Sequence, residues 1–129
     1  MTFGEGEETY LNYGNLHSAQ GKYLRAREYY EKALKVNPQS WEAYYCLGNI
    51  LFYKKDFQNA ILFYNKALKF NRANCDIYLN MGMAYYYLED RANAQKWLEK
   101  AKAVDPKRGD VEAILEKVFY RTKAAEKNP

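Results

Sequence analysis

The side chains that most often carry enzyme chemistry are sparse in this sequence and widely separated. His17 is the only histidine, and a single histidine forms neither a metal-ligand cluster nor a convincing acid–base pair. Cys46 and Cys75 lack metal-ligand spacing and have no base close by in the sequence. There is no glycine-rich phosphate loop, and no pair of carboxylates stands out from the rest of the sequence. We therefore predict a protein that is not an enzyme and that needs neither a metal nor a cofactor.

Composition and charge place the chain among compact globular proteins. Its 129 residues are 48% hydrophobic and 17% aromatic, which excludes a disordered tail. No apolar run approaches the roughly 18 residues that span a bilayer, and the start "MTFGEGEETY" lacks the layout of a signal peptide. Two cysteines without partners are typical of a reducing compartment, so we expect a cytoplasmic protein. The net charge of +4 is spread along the chain and does not by itself indicate nucleic-acid binding.

The sequence repeats at a fixed interval of 34 residues. A tyrosine, a glycine and two alanines return at the same positions in residues 7–40, 41–74 and 75–108, without a gap. These residues are Tyr10/Tyr44/Tyr78, Gly14/Gly48/Gly82, Ala26/Ala60/Ala94 and Ala33/Ala67/Ala101. Chance does not place four residue types at fixed offsets three times in succession. The chain is therefore predicted to be a repeat protein.

Each repeat contains two apolar stretches with the 3.6-residue period of a helix. In the second repeat they run from about Trp41 to Tyr53 and from about Phe57 to Phe70. The polar connector between them is short, as in an antiparallel helix pair. Ser40 and Asn74 stand where a helix N-cap is expected.

The repeated glycines predict close packing within each helix pair. A glycine in mid-helix costs about 1 kcal/mol relative to alanine, so a packing advantage must offset that cost. We expect the second helix to approach the glycine at the first repeated alanine, which is Ala26, Ala60 or Ala94. The aromatic side chains of Tyr30 and Tyr64 are expected to fill the layer between neighbouring repeats.

This arrangement resembles the tetratricopeptide repeat family, whose pattern is Trp-x2-Leu-Gly-x2-Tyr followed by Ala-x3-Phe-x2-Ala-x4-Pro. The resemblance covers residues 7–108, with tyrosine at the tryptophan position of all three repeats and Arg72 at one proline position. It implies an all-α fold, a right-handed superhelical solenoid of three helix-turn-helix repeats. With a C-terminal capping helix, the chain would contain seven helices.

Two segments flank the repeats. Residues 1–6 form an N-terminal extension with Phe3 as the one apolar side chain able to cover the first repeat, and this abrupt start leads us to expect a segment of a longer protein. Residues 109–129 are predicted to form the capping helix. Their apolar side chains make one stripe, which comprises Val111, Ile114, Leu115, Val118 and Phe119.

The resemblance also implies where a partner would bind. Tetratricopeptide proteins usually hold a partner's peptide or helix in a concave groove lined by their first helices. Asparagine can bind a peptide backbone, and tyrosine supplies rigid contact area with a polar tip. The candidate groove residues combine these types with apolar ones, and they are Leu11, Asn12, Asn15, Tyr45, Asn49, Phe52, Asn80, Met83, Tyr86 and Tyr87. We expect a protein or peptide partner with apolar or aromatic side chains.

Each of these residues also has a purely structural interpretation. Tyr86 and Tyr87 can complete the layer between repeats, and amides on a helix can be solvated surface. Acids recur in register near the start of the first helices and of the cap, where they interact favourably with the helix dipole. We favour this dipole role over an acidic ligand-binding rim for Glu8, Glu42, Asp76 and Asp110.

One function of the family can be tested residue by residue. Its chaperone-binding members hold the C-terminal carboxylate of heat-shock chaperones with a clamp of lysines, asparagines and an arginine. The matching positions here are Leu11, Asn15, Cys46, Asp76 and Asn80, and only Asn15 conforms. An acidic heat-shock chaperone C-terminus is therefore not the predicted ligand.

The sequence thus predicts a non-catalytic protein–protein interaction scaffold. An alternative is a chaperone-like protector of a hydrophobic partner segment. Single-stranded RNA binding is a weaker alternative, because lysine and arginine fall mostly on the second helices rather than in the groove. Self-association through the ends of the repeat stack is a further expectation.

Overall fold

The computed structural model describes residues 6–120, and within them every regular element is a helix. Phe3 and the end of the predicted cap, residues 121–129, lie outside the described residues. The all-α class predicted from the sequence is confirmed. The helices are α1 (Glu7–Ala19), α2 (Tyr23–Val36), α3 (Trp41–Tyr53), α4 (Phe57–Phe70), α5 (Cys75–Tyr87), α6 (Arg91–Val104) and α7 (Gly109–Ile114), which continues as a π-helix (Leu115–Tyr120).

The helices pack in the predicted antiparallel pairs, α1 with α2, α3 with α4 and α5 with α6. The chain divides into two compact units, Met1–Arg72 with the first two pairs and Ala73–Pro129 with the third pair and α7. We refer to them as unit 1 and unit 2. No helix among residues 6–120 is long and apolar enough to cross a membrane.

Side-chain caps start the first helices of the second and third repeats, as predicted. The Ser40 hydroxyl oxygen accepts the N–H of Ala43 at 3.3 Å, and the Asn74 side-chain oxygen accepts the N–H of Asp76 at 2.9 Å. Each bond satisfies one of the backbone donors that a helix start leaves without a partner.

The close contact at each repeated glycine differs from the sequence-based expectation. A Cβ atom added at Gly14 would lie 2.4 Å from the Tyr30 ring, and one at Gly48 would lie 2.7 Å from the Tyr64 ring. The alanine of the second helix is only the next neighbour, with the Ala60 carbonyl oxygen 3.3 Å from the Gly48 position. In the first two repeats the glycine is needed chiefly because a tyrosine ring of the paired helix packs against it, and at Gly82 the Leu98 side chain takes this place, 2.7 Å from an added Cβ atom. Sequence spacing identified the small residue and the approach of the paired helix at Ala60 and Ala94, but not the larger side chain that lies closest.

The turn between the two helices of each repeat uses one residue in the left-handed region. These residues are Gly21, Lys55 and Glu89, with φ of 74°, 65° and 63°. They occupy equivalent repeat positions 34 residues apart, so the same turn is built three times with only one glycine. The two non-glycine residues each accept a backbone strain of about 1 kcal/mol.

The predicted apolar stripe of the last helix covers one face of the third helix pair. Val111, Leu115 and Phe119 are fully or almost fully buried, and they pack in one cluster with Leu98 and Ala101. Ile114 and Val118 are partly buried beside them. This packing is what a capping helix provides, because it removes the outer apolar face of the last pair from water.

Arg91 of α6 contacts the π-helical part of the cap. Its guanidinium donates to the carbonyl oxygen of Val118 at 2.6 Å and lies 4.8 Å from the centre of the Phe119 ring. One side chain of α6 therefore satisfies a carbonyl near the helix end and covers the last buried aromatic ring.

Candidate functional site

In unit 1 the first helices of two successive repeats, α1 and α3, border a polar depression of about 320 Å³. Its lining combines amides, hydroxyls and a thiol with two exposed or half-exposed tyrosine rings. A second depression of about 370 Å³ continues from it, since both are lined by Asn15. We call the two together the α1–α3 trough, lined by Glu7, Glu8, Leu11, Asn12, Asn15, Ser18, Ala19, Tyr23, Tyr30, Glu42, Cys46, Asn49 and Tyr53.

Asn15 stands at the middle of the trough with its amide held in one orientation. The buried Tyr30 hydroxyl donates to its side-chain oxygen at 2.6 Å, and the Cys46 thiol contacts the same oxygen at 3.6 Å. Asn15 is exposed, and no acceptor among residues 6–120 engages its side-chain NH2 group. Because the oxygen is occupied from below, the NH2 group is the part presented to the trough. It can donate to a peptide carbonyl.

The second repeat builds the same pair 34 residues further on. The Tyr64 hydroxyl donates to the side-chain oxygen of Asn49 at 2.6 Å, and Tyr64 is fully buried. A buried tyrosine hydroxyl needs a partner, and an asparagine on the first helix supplies it in both repeats.

The buried polar groups beneath the trough favour their neutral forms. Burial, together with Cys46, raises the pKa of Tyr30 far above its ordinary value. Burial likewise raises the pKa of the Cys46 thiol to about 11. At pH 7 this thiol is protonated and is a poor nucleophile, so its chemistry in the trough is packing and weak hydrogen bonding.

One end of the trough is acidic. Glu7, Glu8 and Glu42 line it together with Leu11 and Asn12. Burial raises the pKa of Glu42, and the neighbouring carboxylates Glu7 and Glu8 raise it further. The described part of the chain contains no group of three or more His, Cys, Asp or Glu side chains able to hold a metal ion. The three carboxylates form a negatively charged surface at this end of the trough.

A larger cavity of about 570 Å³ lies between α2, α3 and α4, and several of its polar groups are engaged within the chain. The ammonium group of Lys66 lies 5.9 Å from the Tyr44 ring and 5.1 Å from the Phe63 ring. Arg27 donates to Glu31 at 2.9 Å. With these groups engaged, this cavity is a depression over core side chains, whereas the trough exposes hydrogen-bond donors and acceptors to solvent. The trough is the stronger candidate site.

The candidate groove residues of unit 1 separate into a floor and a lining. Leu11 is buried and forms the floor of the trough, while Asn12 and Asn15 are exposed lining residues.

Tyr45 is only partly exposed and packs against the rings of Trp41 and Tyr64. Phe52 packs edge-on against Tyr53 and Phe57. Asn12, Asn15 and Asn49 therefore line the trough, whereas Tyr45 and Phe52 take part mainly in ring packing.

Unit 2 carries the remaining candidates on α5. Asn80 and Met83 are partly buried, and Tyr86 and Tyr87 are exposed. The two tyrosine rings pack edge to face with centres 5.8 Å apart, and they line a depression of about 420 Å³ with Glu89 and Arg91.

Sequence reasoning missed the contribution of the second helices to the site. Tyr23 and Tyr30 come from α2, yet both line the trough. A signal for Tyr30 was present, because Asn15 and Tyr30 recur together as Asn49 and Tyr64. A search for pairs of positions that change together between repeats would have found it.

Comparison with known proteins agrees with the helix-pair architecture. Two family models, both described as tetratricopeptide repeat, match residues 11–74 and 76–108. The chain belongs to the tetratricopeptide repeat family. No curated protein sequence matched the chain.

Several solved structures share the fold. The first TPR of Spaghetti (RPAP3), bound to the HSP90 peptide SRMEEVD, has a TM-score of 0.83 and 24% identity over 91% of this chain and 93% of that one. The first TPR domain of human RPAP3 has a TM-score of 0.82 and 24% identity over 95% and 97% of the two chains. YrrB, a TPR protein with an unusual peptide-binding site, has a TM-score of 0.77 and 21% identity over 90% and 59%.

Proposed function

We propose that this protein is a non-catalytic interaction scaffold whose α1–α3 trough binds a peptide or helical segment of a partner protein. The observation that carries the proposal is the orientation of Asn15, whose NH2 group faces the trough because Tyr30 and Cys46 occupy its oxygen. A preset donor loses little conformational freedom when a peptide carbonyl binds to it. Family membership supports the same function, since Spaghetti and YrrB are described with peptide ligands or a peptide-binding site.

Unit 2 carries candidate residues of its own, and we propose that they form a separate contact surface for apolar side chains of a partner. Tyr86 and Tyr87 are 40% and 52% exposed, which leaves ring surface available for contact. Tyrosine is well suited to this role because it offers a rigid ring and loses few rotamers on binding. The proposed ligand is therefore a segment recognised by its backbone and by one or two large apolar or aromatic side chains.

An acidic C-terminal peptide is not the proposed ligand, although Spaghetti was solved with one. The clamp positions carry Leu11, Cys46, Asp76 and Asn80, none of which is cationic. A carboxylate brought next to Glu7, Glu8 or Glu42 would meet like charge, and its desolvation would not be offset.

A peptide-array and calorimetry experiment on the full chain tests this function. An array of internal apolar segments should yield binders, and the peptide SRMEEVD should give no measurable heat below millimolar concentration. Asn15→Ala and Asn49→Ala should each weaken the selected binders. Asn65→Ala is the matched control, because Asn65 is an exposed asparagine of α4 that does not line the trough.

The outcomes distinguish the parts of the proposal. Equal loss of affinity in the Asn65 control would contradict the trough as the site. Low-micromolar binding of SRMEEVD would overturn the exclusion of acidic tails. Asn80→Ala examines unit 2 separately, and unchanged binding would restrict the site to unit 1.

A further inference from the structure

The polar groups along the α1–α3 trough are distributed unevenly between its two ends. The carboxylates of Glu7, Glu8 and Glu42 lie at one end, which we call the acidic end. The rings of Tyr23 and Tyr53 lie at the other, with centres 6.0 Å apart and nearly parallel planes. Tyr53 is 64% exposed, so this tyrosine end offers open ring surface. A single elongated ligand that fills the trough would meet both environments.

The acidic end has no counter-charge within the described chain. Among residues 6–120, no lysine or arginine forms an ion pair with any of its three carboxylates. Some acids elsewhere do form ion pairs, as Glu31 does with Arg27 at 2.9 Å and Glu112 with Lys102 at 2.8 Å. The net charge of the whole chain is +4, so the negative end is a local feature and not a consequence of an acidic protein.

We propose that the trough selects an extended peptide segment with a lysine or arginine at one end and a large apolar or aromatic side chain at the other. The cationic side chain lies among Glu7, Glu8 and Glu42, and the apolar one lies on Tyr23 and Tyr53. The backbone between them accepts a hydrogen bond from the Asn15 NH2 group. This inference rests on the proposed peptide-binding function and names the chemistry of the peptide.

The length of the trough sets the spacing of the two side chains. Glu8 and Ala19, which line opposite ends, are eleven residues apart on α1, or about 16 Å at 1.5 Å per residue. An extended peptide advances about 3.3 Å per residue, so about five residues separate the two side chains. The two ends of the trough would therefore bind two side chains of one short segment that are about five residues apart.

Charge complementarity identifies a cation as the occupant of the acidic end. Three carboxylates held close together repel one another, and burial with this repulsion raises the pKa of Glu42. An arginine or lysine relieves the repulsion and forms charge-assisted hydrogen bonds. The Glu7 carboxylate is already oriented, because it accepts a hydrogen bond from the Asn37 amide at 2.9 Å. The helix-dipole role of these first-turn acids is retained when the cation binds.

Two capped hexapeptides test the inference by calorimetry on the full chain at low and moderate salt. The first is acetyl-Arg-Ala-Ser-Ala-Ser-Phe-amide, and the second replaces its arginine by citrulline, a neutral side chain of similar shape. We expect the arginine peptide to bind about fivefold to tenfold more tightly, as two or three partly exposed charges would give. The difference should shrink as salt is raised.

Charge-only variants locate the effect. Glu8→Gln with Glu42→Gln should remove most of the preference for arginine, so that the ratio of the two affinities approaches one. The matched control is Glu28→Gln with Glu116→Gln, which changes the net charge equally at exposed positions that do not line the trough. The preference for arginine should persist in the control.

The possible results separate this inference from the proposed function. Equal binding of both hexapeptides, unaffected by Glu8→Gln with Glu42→Gln, would overturn the cation requirement and leave peptide binding in place. An equal loss in the control would also overturn it, because net charge rather than the acidic end would then explain the preference. If no array segment and neither hexapeptide bound, both proposals would be wrong.

Discussion

One contact between the two helices of a repeat is polar in the first two repeats and apolar in the third. In the first two, an asparagine of the first helix accepts a hydrogen bond from a tyrosine of the second, at 2.6 Å in each case. The equivalent positions of the third repeat are apolar. The pairs are Asn15–Tyr30, Asn49–Tyr64 and Met83–Leu98.

The two positions of each pair change together because a buried hydroxyl needs a hydrogen-bond partner. A tyrosine at position 98 without an asparagine at position 83 would bury a donor beside a thioether, which is a weak acceptor. With Leu98 fully buried and Met83 partly buried, the third repeat needs no such partner. At this position unit 1 thus presents an asparagine on each first helix, whereas unit 2 presents Met83.

The acids at the helix starts also differ between the two units, in whether they form ion pairs. In unit 2, Arg108 forms ion pairs with Asp76 at 2.9 Å and Asp110 at 2.7 Å, which joins α5 to the start of the cap. In unit 1, Glu8 and Glu42 have no such partner among the described residues. Acids with equivalent sequence positions therefore stabilise the fold in unit 2 and remain available to a ligand in unit 1.

The largest expected effect concerns the glycines beneath these pairs. Gly14→Ala and Gly48→Ala should lower the free energy of unfolding by about 1–3 kcal/mol, although alanine is the better helix former. The reason is that the new methyl group would lie 2.4 Å or 2.7 Å from a tyrosine ring held by its hydroxyl. Gly82→Ala should cost less, because Leu98 is smaller and has no hydrogen bond to keep. Denaturant unfolding measures all three.

Gly109→Ala is the control for this series. No atom lies within 4 Å of the position that its Cβ would occupy, so its effect should be neutral or slightly stabilising. A Gly82→Ala cost equal to that of Gly14→Ala would contradict the distinction between ring and leucine packing. Adding Tyr30→Leu to Gly14→Ala should recover part of the loss, since it replaces the ring that the new methyl group would meet by a smaller side chain.

An intermediate effect is expected when the hydroxyl alone is removed. Tyr64→Phe should lower the free energy of unfolding by about 1 kcal/mol, since it breaks the bond to Asn49 and keeps the ring. Tyr30→Phe should do the same and should also weaken peptide binding, because Asn15 is no longer held in one orientation. Thermal unfolding and calorimetry measure the two consequences.

Tyr29→Phe provides the matched control for the hydroxyl series. Tyr29 packs against Tyr13 and His17 with ring centres 5.2 Å apart in each case, and no hydrogen bond of its hydroxyl occurs among the described residues. The control should leave stability and binding nearly unchanged. If Tyr30→Phe weakened binding no more than Tyr29→Phe did, the positioning role of Tyr30 would be wrong.

The sequence predicted the helices well because their determinants are local. Apolar periodicity gave the bounds of α3 and α4 correctly, and Ser40 and Asn74 cap the helices that they were expected to cap. The contacts that define the candidate site are not local. Tyr30 reaches Asn15 across a helix pair, and Arg108 reaches Asp76 from the cap, so periodicity within one helix could not reveal either. The trough itself depends on side chains from three helices.

The smallest expected effect is on stability at neutral pH, where removing the charge of Glu42 and removing that of Asp110 should act in opposite directions. Burial, together with Glu7 and Glu8, raises the pKa of Glu42, whereas the hydrogen bonds from Arg108 lower the pKa of Asp110. A raised carboxyl pKa favours the folded state below the unfolded pKa, and this contribution is lost as pH rises through the folded value. A lowered pKa contributes stability above the unfolded value of about 3.9, and this contribution is lost as pH falls.

Neutral substitutions at pH 7 should therefore act in opposite directions. Glu42→Gln should raise the melting temperature slightly, because it removes a charge that the folded state disfavours. Asp110→Asn should lower it, because the ion pair with Arg108 is lost. The Glu42→Gln difference should disappear below about pH 4, where Glu42 of the unmodified protein is itself protonated, whereas the Asp110→Asn difference should persist to lower pH because the pKa of Asp110 is lowered. Melting curves of the two variants between pH 3 and pH 8 measure these changes in melting temperature. If both substitutions lowered the melting temperature at pH 7, the charge of Glu42 would stabilise the folded state as that of Asp110 does, and the proposed difference between the units would be wrong.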